Sequence, residues 1–505
     1  MFFFVIIGYV PVYFLFFYKD GLLRYRGFSG RAYIFFISFY TGIFIVSLYL
    51  IILSLLGFKF SLLNISIFSS VFFILSLILH IRKEKIVKRI PAEIGMDIKK
   101  AVELGEQFTS KKFLNNKKLI NSIFSIVILF ICLNVFIVIF FTFLFPIRFW
   151  DAISCWSLKG RSFYIDGNIT TFFTEHNYEF SHQSYPLFLP LAQTWIYVWL
   201  GKIDETAVKV IFPFFYLSLI FIFYYLFRER LNRIFSSVLV FLLCSLPIIM
   251  DHGYMEYANL IFSIVLFLGV YYFYSYVSDQ YRNKKHLVVS TLFFVILIQI
   301  RSEGMLFLAL FLIVNLSYNI FLIYRKFKVR GRTIIAVRKF RYLAEILTIL
   351  IPIALSVFLS VPWFLLKFRL GIPAISIEWA ELFKNFHMTG NSIAEIFSSG
   401  RAFKAIAGEI IYSSYDSTRA FLGSSYGVVW VVLIVIFVIN FKKSLINSNW
   451  IFPLFAIAGF ISVFISIGLI EEFAWSIDRY VLHLFPLIYF WIFYNITPYN
   501  KRKNF

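Results

Sequence analysis

Residues 119–151 read LINSIFSIVILFICLNVFIVIFFTFLFPIRFWD. No charge interrupts the run from Leu119 to Ile147. A helix of ~20 apolar residues crosses ~30 Å of hydrocarbon, so this run is long enough to span a bilayer. The alternation of a barrel strand is absent from it. At its end the character changes: Arg148 is followed by Asp151, with Trp150 beside it. A carboxylate where a chain leaves a bilayer is costly unless it faces water, a partner or a ligand.

The rest of the chain repeats the pattern. Of its 505 residues, 61% are hydrophobic and only 15% charged, too few for the polar exterior of a soluble protein. Further apolar runs fall near 2–18, 32–56, 61–81, 185–200, 209–227, 234–250, 256–277, 286–300, 303–324, 342–366, 421–441, 449–470 and 479–497. The expected fold is all-α and polytopic, an integral, multi-pass membrane protein. The first ten residues, MFFFVIIGYV, lack a charged n-region and a cleavage site, so they read as a retained helix. Cys132 and Cys244 lie in apolar runs and Cys155 in a wet loop, a pattern that implies no disulfide framework.

The net charge of +22 lies in inter-helix loops, which marks membrane topology and gives no reason to expect nucleic acid as a partner. Residues 82–118 hold 11 Lys/Arg, and 324–341 hold 8 without an acid, so both belong on the cytoplasmic side. Counting crossings between them, one run must fail to span. The best candidate is YPLFLPLAQTWIYVWL (185–200), short, with Pro186 and Pro190 and rich in Trp and Tyr, the pattern of a juxtamembrane or re-entrant helix at the interface. That leaves about 13 spanning helices plus juxtamembrane helices in the first large external loop. The expected organisation is N-terminal transmembrane helices over 1–81 and a basic cytoplasmic linker over 82–118. A module over 119–325 follows, with external loop 148–208, and then C-terminal helices over 326–505 with external segment 369–420.

On the external side, carboxylates gather from several loops. Asp151 is placed to act as a general base on a hydroxyl. The stretch EHNYEFSHQSYP (175–186) carries Glu175, His176, Glu179, His182 and Tyr185. His176, Glu179 and His182, spaced three and three, are the set that suggests a divalent metal. That spacing needs a helix, and the Asn, Ser, Tyr and Pro around it favour a loop, in which these residues line a polar acceptor cleft. Glu256 lies in DHGYMEY (251–257), Arg301 and Glu303 in the turn RSEG (301–304), and Arg479 in EEFAWSIDRY (471–480). Arginines there suit a lipid phosphate. Lys159 and Arg161 receive no role beyond anchoring their loop to headgroups. No G-x-x-x-x-G-K-[ST] or G-x-G-x-x-G is present, so nucleotide hydrolysis and hydride transfer find no support.

Taken in order, FWDAISCWSLKGRSFY, the HQSYPLFLPLAQTWIYVWL stretch, LPIIMDHGYMEYANLIFSIVLFL and IRSEGMLFLALFL resemble the GT-C superfamily of membrane glycosyltransferases. The likeness is to its protein-mannosyltransferase and aminoarabinose-transferase-like group (glycosyltransferase family 39-like), over residues 119–325. It implies transfer of a sugar from a polyprenyl-phosphate donor to a lipid, glycan or protein acceptor on the extracytoplasmic face of a bacterial inner or plasma membrane. In that family an aspartate follows a transmembrane helix at the start of the first external loop, where Asp151 stands. The family's acidic pair is reduced here to Asp151 followed by Ala152, leaving Asp166, Glu175 and Glu179 for a second carboxylate. The alternatives are a lipid-linked oligosaccharide transporter, disfavoured because charge gathers at one face and not the midplane, and a glycan polymerase or ligase.

Overall fold

The computed structural model describes residues 1–17, 28–87, 117–175, 178–279, 283–329, 336–373, 400, 404, 408, 426, 429–444, 447–469 and 477–496. Among them all regular structure is helical and no strand occurs. The main helices are α1 (Phe2–Phe16), α2 (Phe28–Leu55), α3 (Leu62–Val87), α4 (Lys117–Leu144), α5 (Leu158–Asp166), α6 (Phe188–Leu200), α7 (Ile211–Phe227) and α8 (Arg233–Cys244). They continue with α9 (Pro247–Asp251), α10 (Asn259–Ser278), α11 (Lys284–Ile300), α12 (Gly304–Val329), α13 (Ala336–Arg369), α14 (Val429–Ile439), α15 (Ile451–Leu469) and α16 (Ile477–Ile496).

Among the described residues, 7 helices are long and apolar enough to cross a membrane: α2, α3, α4, α7 with its lead-in from Glu205, α10, α12 and α13. Shorter apolar helices (α1, α6, α8, α14 and α15) join them. The protein is therefore an all-α polytopic membrane protein. α10 is its axis. Every residue from Asn259 to Val277 is buried, and the helix packs against α7, α11, α15 and α16. A helix apolar on all sides needs such a sheath. α4 is the opposite case: only 11% of its apolar window is buried, and Phe136, Phe140 and Phe143 are half exposed or more. In water that surface would be an aggregation patch; in a bilayer it is the lipid-facing side.

Apolar contact adds little driving force between helices in lipid, so close packing and polar bonds hold them together. α1 and α2 meet through Gly8 and Gly42. A Cβ on Gly8 would fall 1.8 Å from the Ser38 carbonyl oxygen, and one on Gly42 would fall 1.7 Å from that of Phe4. Thr41 Oγ1 donates across the seam to the Gly8 carbonyl at 3.2 Å. α12 and α13 are joined by Thr348, which donates to Asn319 Oδ1 at 2.9 Å, while Asn315 donates to the Thr348 carbonyl at 3.2 Å.

The segment 148–208 is mostly helical. After α4 come a π-helix (Ala152–Ser157), α5, a short helix (Thr170–Thr174), a 3-10 turn (Glu179–Ser181), α6 and a short helix (Glu205–Lys209). α6 has 13 residues, so it is about 20 Å long at ~1.5 Å per residue, short of ~30 Å of hydrocarbon. Its length thus fits the run expected not to span. Around it the helix is enclosed by protein. All of α6 from Phe188 to Val198 except Ile196 is buried, and α2, α3 and α5 pack around it. Its aromatic residues fill the protein: Trp195 packs near Phe4 and Phe68, and Tyr197 near Tyr164.

Of the expected linker, 88–116 lie outside the described residues, as do 374–399 and most of 401–425, with Glu378, Trp379, Glu381 and His387.

Candidate functional site

Pro146 follows the end of α4, where it cannot continue the ladder. The chain turns and resumes helix at Trp150–Asp151, and the residues directly after Asp151 form the π-helix. π segments recur at functional sites. Asp151 Oδ2 accepts a hydrogen bond from Arg479 Nη1 at 2.5 Å, joining residues 328 positions apart. The side chains are 33% and 27% exposed, so the pair is only partly covered by protein. The Arg479 guanidinium lies 5.3 Å from the Tyr257 ring, which itself packs against Phe149.

Arg301 is the second charged centre. It caps the C-terminus of α11 in an extended conformation and is 9% exposed. Its Nη2 donates to Glu303 Oε1 at 2.7 Å, Nε faces both Glu303 oxygens at 3.2 and 3.3 Å, and Nη1 donates to Asn259 Oδ1 at 2.7 Å. One hydrogen on each terminal nitrogen is left over. The guanidinium carbon lies 5.8 Å from the Tyr185 ring and 5.9 Å from that of Tyr480. Arg301 and Glu303 thus form an ion pair at this hairpin, and the arginine is held from behind. Around Asn259 stand His252 Nε2 at 3.3 Å and His483 Nε2 at 3.4 Å.

Tyr185 links this centre to the segment 148–208. It stacks on His182 at 4.8 Å and packs near Trp156. His182 has φ 48, in the left-handed region that side chains other than glycine seldom adopt. Its carbonyl accepts from Lys159 Nζ at 2.8 Å. Lys159 is fully buried, so it is not the headgroup anchor expected of it: α5 turns it inward to hold the 182–185 turn. Arg161 pairs with Glu205 at 2.9 Å and ties α5 to the start of the α7 segment.

Glu256 does not join Arg301. It pairs with Lys209 at 3.4 Å, both side chains 2% exposed, and Lys209 also donates to the Phe145 carbonyl. Burial raises the Glu256 carboxyl above its usual range, and Lys209 opposes that shift. Glu175 is exposed just beyond the short helix Thr170–Thr174. His176 and the Glu179 side chain, two of the three members of the expected His176–Glu179–His182 set, lie outside the described residues. Among the described residues no group of three or more His, Cys, Asp or Glu is arranged to hold a metal. Burial pushes the Cys155 thiol up, away from a reactive thiolate.

Sequence reading thus named Asp151, Arg301, Glu303, Arg479, His182 and Tyr185, all of which take part in this cluster. It missed Asn259, His252, His483, Lys159 and Lys209. The available signal was polar residues inside apolar runs, which mark function more often in membranes than in water. Asn259 and His483 carry that signal.

The fold and this cluster define the class: a polytopic α-helical membrane protein with an ion-paired polar centre where the ends of α4, α10, α11 and α16 converge. No family model matches the chain, and no curated protein or solved structure matches it significantly.

Proposed function

We propose that the chain is a GT-C-type glycosyltransferase that moves a sugar from a polyprenyl-phosphate donor to an acceptor hydroxyl at the extracytoplasmic face of the membrane. One observation carries the reading: Asp151, just after α4, and Arg479, at the start of α16, meet at 2.5 Å with each side chain about a third exposed. A carboxylate and a guanidinium at one membrane boundary supply what such a transfer needs. Asp151 takes the proton from the acceptor hydroxyl, or orients it, as the hydroxyl attacks the anomeric carbon with inversion. The bond from that carbon to the phosphate oxygen breaks, and negative charge grows on the leaving lipid phosphate. Arg479 exchanges Asp151 for that phosphate. Arg301, braced by Glu303 and Asn259, offers the remaining hydrogens of its terminal nitrogens, so the donors are in place before charge develops.

Purified protein is incubated with polyprenyl-phosphate sugars and an acceptor glycan or lipid, and free polyprenyl phosphate is measured. The transferase releases it. Release of polyprenyl pyrophosphate identifies a polymerase or ligase instead, and movement of the lipid without cleavage identifies a transporter. Asp151→Asn lowers turnover by about 10²–10⁴-fold, the usual worth of general acid–base help. Wild-type turnover in that variant sinks the assignment.

A further inference from the structure

Asn259 opens α10 and is 1% exposed. Its amide has two ends with different chemistry, and three neighbours decide which way it points. His252 Nδ1 lies 2.9 Å from the Ile248 carbonyl. A carbonyl only accepts, so Nδ1 carries the ring hydrogen. His252 is almost fully buried, and burial holds its imidazole neutral, pushed down to about 4, with Arg479 and Arg301 acting in the same direction. Nε2 of that ring is therefore a lone pair and needs a donor. The Asn259 NH2 is the group 3.3 Å away. This leaves Oδ1 for Arg301 Nη1, which has only hydrogens to give, and for His483 Nε2, which then donates. Every acceptor meets a donor in this arrangement. Flipping the amide sets NH2 against the guanidinium and a carbonyl against a lone pair.

We propose that Asn259 is a positioning residue for Arg301: the Ile248 carbonyl sets the His252 tautomer, the tautomer sets the Asn259 amide, and the amide with Glu303 fixes the guanidinium. The transferase reading enters only in what Arg301 then receives, the anionic lipid phosphate. Acid undoes the arrangement. A proton on His252 Nε2 faces the Asn259 NH2, the amide must turn, and Arg301 Nη1 loses its acceptor. The charged and titratable groups facing His252 are Arg301 after α11, Arg479 and His483 from α16, and Tyr257 on its own turn.

The test uses the full chain, labelled with 15N-histidine, in lipid nanodiscs. Imidazole 15N shifts read the tautomer, and undecaprenyl phosphate is the binding probe. His252 carries its hydrogen on Nδ1 at pH 7 and stays neutral to about pH 5. Asn259→Leu weakens probe binding about tenfold or more, and has no further effect in an Arg301→Gln background, the mark of action through one residue. Asn259→Asp keeps an acceptor for Arg301 and restores binding, while His252 gains its proton at higher pH because a carboxylate oxygen now faces Nε2. A hydrogen on His252 Nε2 at pH 7, or additive losses in the double variant, overturns the proposal. If wild-type protein binds the probe yet never cleaves a sugar-loaded carrier, the transferase reading falls and the positioning role stands. If it does not bind the probe, the 15N spectrum alone decides.

Discussion

Lys209→Met is the most informative test of the architecture beneath the site. Lys209 and Glu256 form a pair at 3.4 Å with each side chain 2% exposed, and Lys209 also caps the Phe145 carbonyl at the end of α4. Two unit charges at that distance attract by about 5 kcal/mol at an effective dielectric of ~20. Most of this is offset by the desolvation of both ions, so the pair adds little net stability. Removing one partner is different, because the other stays buried without compensation, at a cost of roughly 3–5 kcal/mol. The methionine fills the space of the lysine stem but leaves Glu256 and the Phe145 carbonyl unsatisfied. Glu256, whose carboxyl burial already raises, then takes a proton, and this limits the loss to about 3 kcal/mol near pH 7. For a carboxyl raised in the folded state, stability is lost as pH rises above the unfolded pKa, so the defect is larger at pH 8 than at pH 5. Thermal unfolding of the detergent-solubilised protein, followed by size-exclusion chromatography of heated samples, reads both effects. The double variant Lys209→Met/Glu256→Leu recovers more than half of the loss, since no charge is then stranded. A Lys209→Met protein as stable as wild type, or a defect that does not change with pH, refutes the buried-pair argument.

Asp151→Asn leaves the melting behaviour within about 1 kcal/mol of wild type, because the Arg479 pair is near a third exposed and such pairs contribute little; a large loss of folded protein would mean that Asp151 is structural. The same variant loses transfer, which separates chemistry from stability. His252 makes the fold acid-sensitive: its folded pKa of about 4 lies below the ordinary value of 6.5, so stability is full above about pH 6.5 and is lost as pH falls toward 4. The full effect is on the order of 3 kcal/mol, and His252→Asn flattens it in denaturation measured between pH 7 and 4.5. Gly42→Leu drives a side chain into the Phe4 carbonyl, costs roughly 1–3 kcal/mol or more, and frees α1 from α2 to early proteolysis on heating. Arg161→Ala, which removes a half-exposed ion pair to Glu205, shifts stability by less than about 1 kcal/mol in the same assay.

The fold class was legible because a bilayer imposes a one-dimensional rule. Each crossing must satisfy its own backbone and show an apolar surface, and both requirements are written in contiguous residues such as 119–147. The same rule exposed the short run at 185–200, whose helix has too few residues to cross. Its surroundings were not legible: Trp and Tyr serve equally well at a lipid interface and inside a bundle, and only packing against α2, α3 and α5 puts α6 inside.

For the site, sequence alone marked charges at the ends of apolar runs, since charge there is costly and so carries meaning. That singled out Asp151, Arg301, Glu303, Glu256 and Arg479 one at a time. Pairing was decided by tertiary structure, because the partners lie tens to hundreds of residues apart and any acid can in principle meet any base. Arg479 went to Asp151, Glu256 to the unremarked Lys209, and Arg301, besides its near neighbour Glu303, to a neutral asparagine. Buried neutral groups such as Asn259 and His252 leave no mark in charge counting. Their importance comes from where a single hydrogen must sit, and that depends on which carbonyl stands opposite the ring.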